Sequence, residues 1–214
     1  MKRESGKGLK NLNTLIKISL LGSMAFLLML FDFPLPIFPS FLKIDLSDLP
    51  ALVGSFALGP IAGVVIELLK NILHAAIKGS STAMVGEIAN FFVGSVLVFT
   101  SGYIYNMKKT RKSAVTGLVV GTIVMSVLAG ILNYVIMIPF YAKAFGMPME
   151  AIIGMGTKLN SNIKDLTSLV LWAIIPFNLL KGFAVSFITA AIYKKISIVL
   201  QGEVSFPRSA VTKK

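Results

Sequence analysis

Residues 15–31, 83–105, 114–140 and 169–193 are predominantly apolar runs. A helix needs about 20 such residues to cross the hydrocarbon core of a bilayer. Backbone polar groups have no water to bond at that depth, so such runs must be helical or close into a barrel. Continuous apolar runs, rather than alternating ones, select helices. A fifth region, DLPALVGSFALGPIAGVVIELLKNILH from Asp48 to His74, has Gly59-Pro60 in its middle and Glu67, Lys70, Asn71 and His74 in its second half. The fold depends on how often this region crosses.

Basic clusters supply the count. They lie at Lys2, Arg3, Lys7 and Lys10, at Lys108, Lys109, Arg111 and Lys112, and at Lys194, Lys195, Arg208, Lys213 and Lys214. Basic residues flanking spans stay cytoplasmic, so an even number of crossings must separate each cluster from the next. Only a helical hairpin turning at Gly59-Pro60 makes the first interval even. Gly supplies the backbone freedom and Pro suits the first helical turn. A single kinked helix in a five-span chain is the competing reading and breaks this parity. The expected fold is an all-α integral membrane protein with six transmembrane helices. These lie at about 14–32, 46–58, 60–77, 82–106, 113–140 and 168–196 of one domain, residues 1–200. Both termini are cytoplasmic, and residues 201–214 form a polar tail. The 32–45 and 141–167 connections then lie outside, the latter carrying a short amphipathic helix in MPMEAIIGMGTKL.

The composition excludes several classes. Apolar residues make up 55% of the 214-residue chain and charged residues 14%, against roughly 25% charged in a soluble domain. The net charge of +12 follows from cytoplasmic loops facing the bilayer, and no nucleic-acid partner is expected. Without cysteine and with one histidine, a transition-metal site is not expected. No phosphate-binding G-x-x-x-x-G-K-[ST] loop and no catalytic constellation is present. The chain is not read as an enzyme, and no cofactor is expected.

Polar groups at membrane depth face a bundle interior or a cavity. Glu67, Lys70, Asn71 and His74 form one helical stripe, open to two readings: a functional face, or charges paired with one another. Glu87 and Asn90 share a face of the next helix. Asn133, Asn178 and Lys181 fall in the external halves of the last two spans. Two amides and an ammonium suit a planar ligand with many hydrogen-bonding positions; helix-to-helix bonding is the alternative for each asparagine. On the first helix, Ser19, Gly22, Ser23 and Ala25 form a small-residue surface. It serves either a partner membrane protein or packing within the bundle.

The segments FLKIDLSDLPALVGSFALGPIAGVVIELLKNILH, GEIANFFVGS and NLLKG resemble the riboflavin-specific substrate-binding subunits (S components) of energy-coupling-factor (ECF) transporters. The resemblance covers most of residues 15–195. It implies a six-helix bundle in a prokaryotic cell membrane that captures riboflavin from outside with high affinity. It also implies two kinds of partner, a membrane coupling protein and two ATPase subunits. Carried onto this sequence, it places Asn133, Asn178 and Lys181 on the ligand. Leu42, Lys43, Ile44 and Asp45 form a covering loop, with Phe38 beside it. Gly86 makes room for the ring, and Glu67 joins the polar wall. Ile37 and Phe41 join Phe38 and Leu42 as apolar cover. Ser19 and Ser23 stand where the family often has an alanine pair for the coupling protein. The alternatives are an S component for thiamine or pantothenate, and a self-sufficient proton-coupled carrier using Glu67, Glu87 and His74.

Overall fold

The computed structural model describes residues 12–80 and 82–201. The N-terminal basic cluster, the C-terminal basic side chains and the tail from residue 202 lie outside the described residues. Helix α1 spans Leu12–Met29. Two short strands follow, β1 at Phe33–Pro34 and β2 at Lys43–Ile44. They pair antiparallel, Phe33 opposite Ile44. Next come α2 at Asp48–Leu58, α3 at Pro60–Ile77 and α4 at Val85–Lys108. Helix α5 covers Arg111–Phe145, and α6 is the short helix Met149–Thr157. Helix α7 occupies residues 166–201.

Among the described residues, five helices are long and apolar enough to cross a membrane: α1, α3, α4, α5 and α7. The all-helical, membrane-capable bundle expected from the sequence is therefore present. Helix α2 is apolar but has only 11 residues. At 1.5 Å per residue it is about 16 Å long, short of the ~30 Å hydrocarbon core.

The Gly59-Pro60 pair breaks the region into two antiparallel arms. Gly59 has φ +111° and ψ 162°, backbone territory that only glycine enters cheaply. Pro60 opens α3, where a missing N–H costs nothing. The pairing of Ser55 with Gly63 and of Asp48 with Lys70 fixes the register of the arms. A methyl group on Gly63 would sit 2.6 Å from Ser55 Cβ, so only glycine lets the arms close. Ser55 Oγ also donates to Val98 O of α4 at 2.6 Å. Helices α4 and α5 approach as closely: a Cβ on Gly117 would lie 2.6 Å from the Ser101 carbonyl oxygen. Ile18, Ala25, Leu52, Phe56, Ile66, Leu97, Tyr105 and Met125 belong to the core here.

A second apolar cluster sits at the opposite end, under the loops. Phe38 and Leu42 of the 30–47 loop pack with Ile138 of α5, Ile152 of α6, and Leu169, Ile174 and Phe177 of α7. We call this the loop end, and the Gly59 and Lys109 end the turn end.

Two expectations are corrected here. The fifth helix was expected to stop at residue 140, yet it runs to Phe145. The 32–45 segment, read from the sequence as a connection between helices with no strand assigned to it, holds a two-stranded ladder. Pro139 does not end the fifth helix, although proline removes an N–H and crowds the preceding turn. The helix instead widens into a π turn at Asn133–Met137, where Ile138 N–H bonds to Asn133 O. Helix α7 does the same at Val170–Ile174, where Ile175 N–H bonds to Val170 O, one residue before Pro176.

Candidate functional site

At the loop end, α4, α5, α6 and α7 diverge around a cavity of about 160 Å³. Phe41, Leu42, Val85, Val93, Ile138 and Phe177 form its apolar walls. Asn133, Asn178 and Lys181 line it from α5 and α7, with Gly86 and Asn90 on α4 and Lys43 on the loop. Phe38 supports this wall from behind, edge-to-face on Phe177 with centroids 5.3 Å apart.

The two asparagines are oriented alike. Asn133 Nδ2 donates to Ala129 O, and Asn178 Nδ2 donates to Ile174 O, both at 2.8 Å. Each amide thus spends a donor on the preceding turn of its own helix, which leaves its Oδ1 as an acceptor for other groups.

A chain of buried charges begins at Lys181. Its Nζ lies 3.1 Å from Asp45 Oδ2 and 3.5 Å from Asp48 Oδ2. Asp48 also pairs with Lys70, which donates to Ser47 Oγ at 2.8 Å and lies 2.7 Å from Glu67 Oε2. Asp45 Oδ1 accepts the Ser47 N–H at 2.7 Å. Three carboxylates thus face two ammonium groups, and every member is buried. Removing one partner of such a pair costs about 3–5 kcal/mol, because it strands the other charge. The Lys181–Asp45 contact joins the 30–47 loop to α7 across 136 residues of sequence.

Outside the bundle core, Asp32 holds the same loop in place. It accepts from Lys43 at 2.9 Å and from Lys78, just past α3, at 2.7 Å. Partial burial alone would push the Asp32 carboxyl up, but hydrogen bonds from Lys78 and Lys43 outweigh it and hold the group below its ordinary value.

A polar chamber of about 410 Å³ adjoins the first cavity. Asp32, Asp45, His74, Lys78 and Glu87 line only the chamber, while Lys43, Thr82, Gly86 and Asn90 line both spaces. Together the two spaces match the size range of small-molecule sites.

The structure brings Leu42, Lys43, Gly86, Asn133, Asn178 and Lys181 to one cavity and Asp45 to its neighbour. Phe38 stands behind the wall, and Ile44 is half-buried in β2. Two assignments need correction. Glu67 lines neither space, because it is fully buried against Lys70; the self-pairing reading describes it. Gly22 and Ala25 face into the bundle, and a Cβ on Gly22 would lie 3.2 Å from Leu69 Cβ of α3. Of the small-residue surface, only Ser19 and Ser23 are exposed. Ile37 also points outward, at 69% exposure. Sequence reasoning missed Asp48, the carboxylate at the centre of the charge chain. Its signal was the Ser-Asp pair that opens α2, at hairpin register with Lys70.

The family model for the ECF transporter, substrate-specific component, matches residues 13–193. The chain belongs to this family. A riboflavin transporter RibU of Staphylococcus aureus is 35% identical over 87% of this chain and 92% of its own length. The riboflavin transporter FmnP of Bacillus subtilis is 34% identical over 85% of this chain and 90% of its own. A solved S component of a bacterial ECF transporter superposes with a TM-score of 0.68 at 34% identity, covering 88% of this chain and 97% of that one. For an S component, a cavity between helix ends and a long loop is a natural place for cargo. The loop-end cavity has that form.

Proposed function

We propose that this S component binds riboflavin from the external side and delivers it to an ECF uptake system in the cell membrane. The observation that carries this reading is the loop-end cavity. Apolar walls fit the faces of a flavin ring. Asn133, Asn178 and Lys181 supply fixed polar groups for its pyrimidine edge, in a chain similar to riboflavin transporters along most of its length. In this reading α2 and α3 act as two crossings, which gives six with both termini cytoplasmic and puts the loop end outside. The 30–47 loop, tied by Asp45 to Lys181, covers the ligand. Ser19 and Ser23 on the exposed face of α1 meet the coupling protein, and two ATPase subunits drive release inside.

An absorbance spectrum of the detergent-purified chain tests the reading, with mass spectrometry of what denaturation releases. A flavin spectrum and released riboflavin are expected. A colourless preparation is titrated with riboflavin. Fluorescence that stays unchanged at saturating vitamin overturns the assignment and moves the test to thiamine and pantothenate.

A further inference from the structure

The buried charge chain does not balance. Asp45, Asp48 and Glu67 bring three carboxyl groups to it, and Lys70 and Lys181 bring two ammonium groups. All five residues are buried. Among the described residues, the elements packed around them supply no third cation. The buried face of α1 is uncharged, from Ile18 through Gly22 and Ala25 to Met29. Lys43 and Lys78 are spent on Asp32. His74 faces Glu87 of α4, which Ser80 and Thr82 also hold. An unpaired charge is too costly to keep in such an interior, and a carboxyl there takes a proton instead.

The partners show which carboxyl gives way. Asp45 has a donor on each oxygen, Ser47 N–H on one and Lys181 on the other. Asp48 meets Lys70 with one oxygen and Lys181 with the other. Glu67 meets Lys70 through Oε2, but its Oε1 is buried without a hydrogen-bond partner among the described residues. Gly94 of α4 lies alongside it with no side chain to offer.

The imbalance also depends on the loop. Asp48 is fixed in α2 and Glu67 in α3, whereas Asp45 belongs to the 30–47 loop. A ligand enters a covered cavity only when the cover lifts, and lifting takes Asp45 away. Two carboxylates then face two ammonium groups, and the chain balances with Glu67 ionised.

We propose that Glu67 takes up a proton from solvent as the loop closes over the ligand, and returns it as the loop opens. This rests on the reading of that loop as the cover. Glu67 lines neither space, so it acts on the cover through Lys70, Asp48 and Lys181. Binding of a neutral vitamin is thereby linked to one proton. The closed form holds that proton, so affinity weakens as pH rises, by at most about tenfold per unit.

The test titrates the purified full chain in detergent with riboflavin by calorimetry, in buffers of unequal ionisation heat and at several pH values across the neutral range. The part of the heat that follows the buffer counts protons taken up per vitamin bound. Wild type is expected to show uptake approaching one proton, and a Kd that rises with pH. Glu67→Gln, a permanently neutral side chain of the same shape, should bind the vitamin with no uptake and a flat pH profile. Asp45→Asn should lose the uptake as well, because its loop then brings no charge, while the weaker tie lowers affinity. Wild type that binds without uptake overturns the proposal, and so does uptake that persists in either variant. Should Glu67→Gln melt early, Glu67→Met, uncharged and of similar length, carries the same comparison. Wild-type protein that binds no riboflavin overturns the flavin reading, and the vitamin-driven uptake with it.

Discussion

The turn end and the loop end of this bundle are built from opposite materials. At the turn end, helices meet through Gly63, Gly102, Gly117 and Ser55, and backbones come close enough that a methyl group would collide. Without a hydrophobic drive between helices in lipid, such close van der Waals packing is what holds them. At the loop end the helices spread, and paired charges, amides and two π turns occupy the gap. The difference separates two tasks. One end holds the helices together, and the other keeps open a space that a ligand can fill. Mutations at the two ends should therefore fail in different ways.

The largest effect is expected where the charge chain joins the two ends. Lys70→Ala strands Glu67 in the interior and leaves Asp48 with Lys181 alone. It should destabilise the protein by about 3–5 kcal/mol, read as a fall in thermal midpoint in detergent. A midpoint within error of wild type would show that these carboxylates do not depend on Lys70. Next, Gly117→Ala pushes a methyl group onto the Ser101 carbonyl. Overpacking should cost about 1–3 kcal/mol of stability and leave the affinity of the surviving folded protein intact. A selective loss of vitamin binding in that variant would break the division between the ends. Asn133→Ala should do the reverse: weaken riboflavin binding by about 1–3 kcal/mol with little change in melting. Isothermal titration beside a melting curve separates these outcomes.

The smallest effect belongs to Asp32. Its carboxyl is held below the ordinary value by Lys78 and Lys43, against partial burial. The sign follows from linkage. The tie is fully present above the unfolded-state carboxylate value and is lost as pH falls through the lower folded value. Asp32→Asn should mimic the acid form at neutral pH. Because the lysines are solvent-accessible, at most about 1 kcal/mol is at stake. Hydrogen exchange at the Phe33 and Ile44 amides should speed up in the variant; unchanged protection would remove Asp32 from the loop's anchoring.

Much of this division was legible in the sequence, though unevenly. Hydrophobic run length set the helices, and Gly59-Pro60 marked the hairpin, because each acts through local backbone chemistry. Asn133, Asn178 and Lys181 stood out because polar groups are rare in apolar runs. Other features depended on distant partners. Glu67 and Lys181 are both polar residues in apolar helices, yet only one lines the cavity. What separates them is Lys70 beside the first, and Asp45 and Asp48 across the bundle from the second. Ser19 and Gly22 are both small residues on one helix, and only their helical phase against α3 tells outward from inward. The π turns left a trace as well: each helix carries Ile-Pro, at Ile138-Pro139 and Ile175-Pro176. Taken alone, that dipeptide predicts a stop or a kink. Here the helix admits one extra residue and continues.

That extra residue has a rotational consequence. Each residue of an α-helix advances about 100° around the axis. A single insertion therefore turns everything beyond it by about that angle relative to an unbroken helix. In α7 the rotation is completed just before Asn178 and Lys181. In α5 it comes just before Ile138 and Tyr141. The two π turns work like matched gear teeth: they let each helix present one side to its neighbours along the bundle and another to the cavity at its end. Deleting one residue from either π turn would leave the composition of that helix almost unchanged, yet swing its part of the cavity lining away from the space it now surrounds.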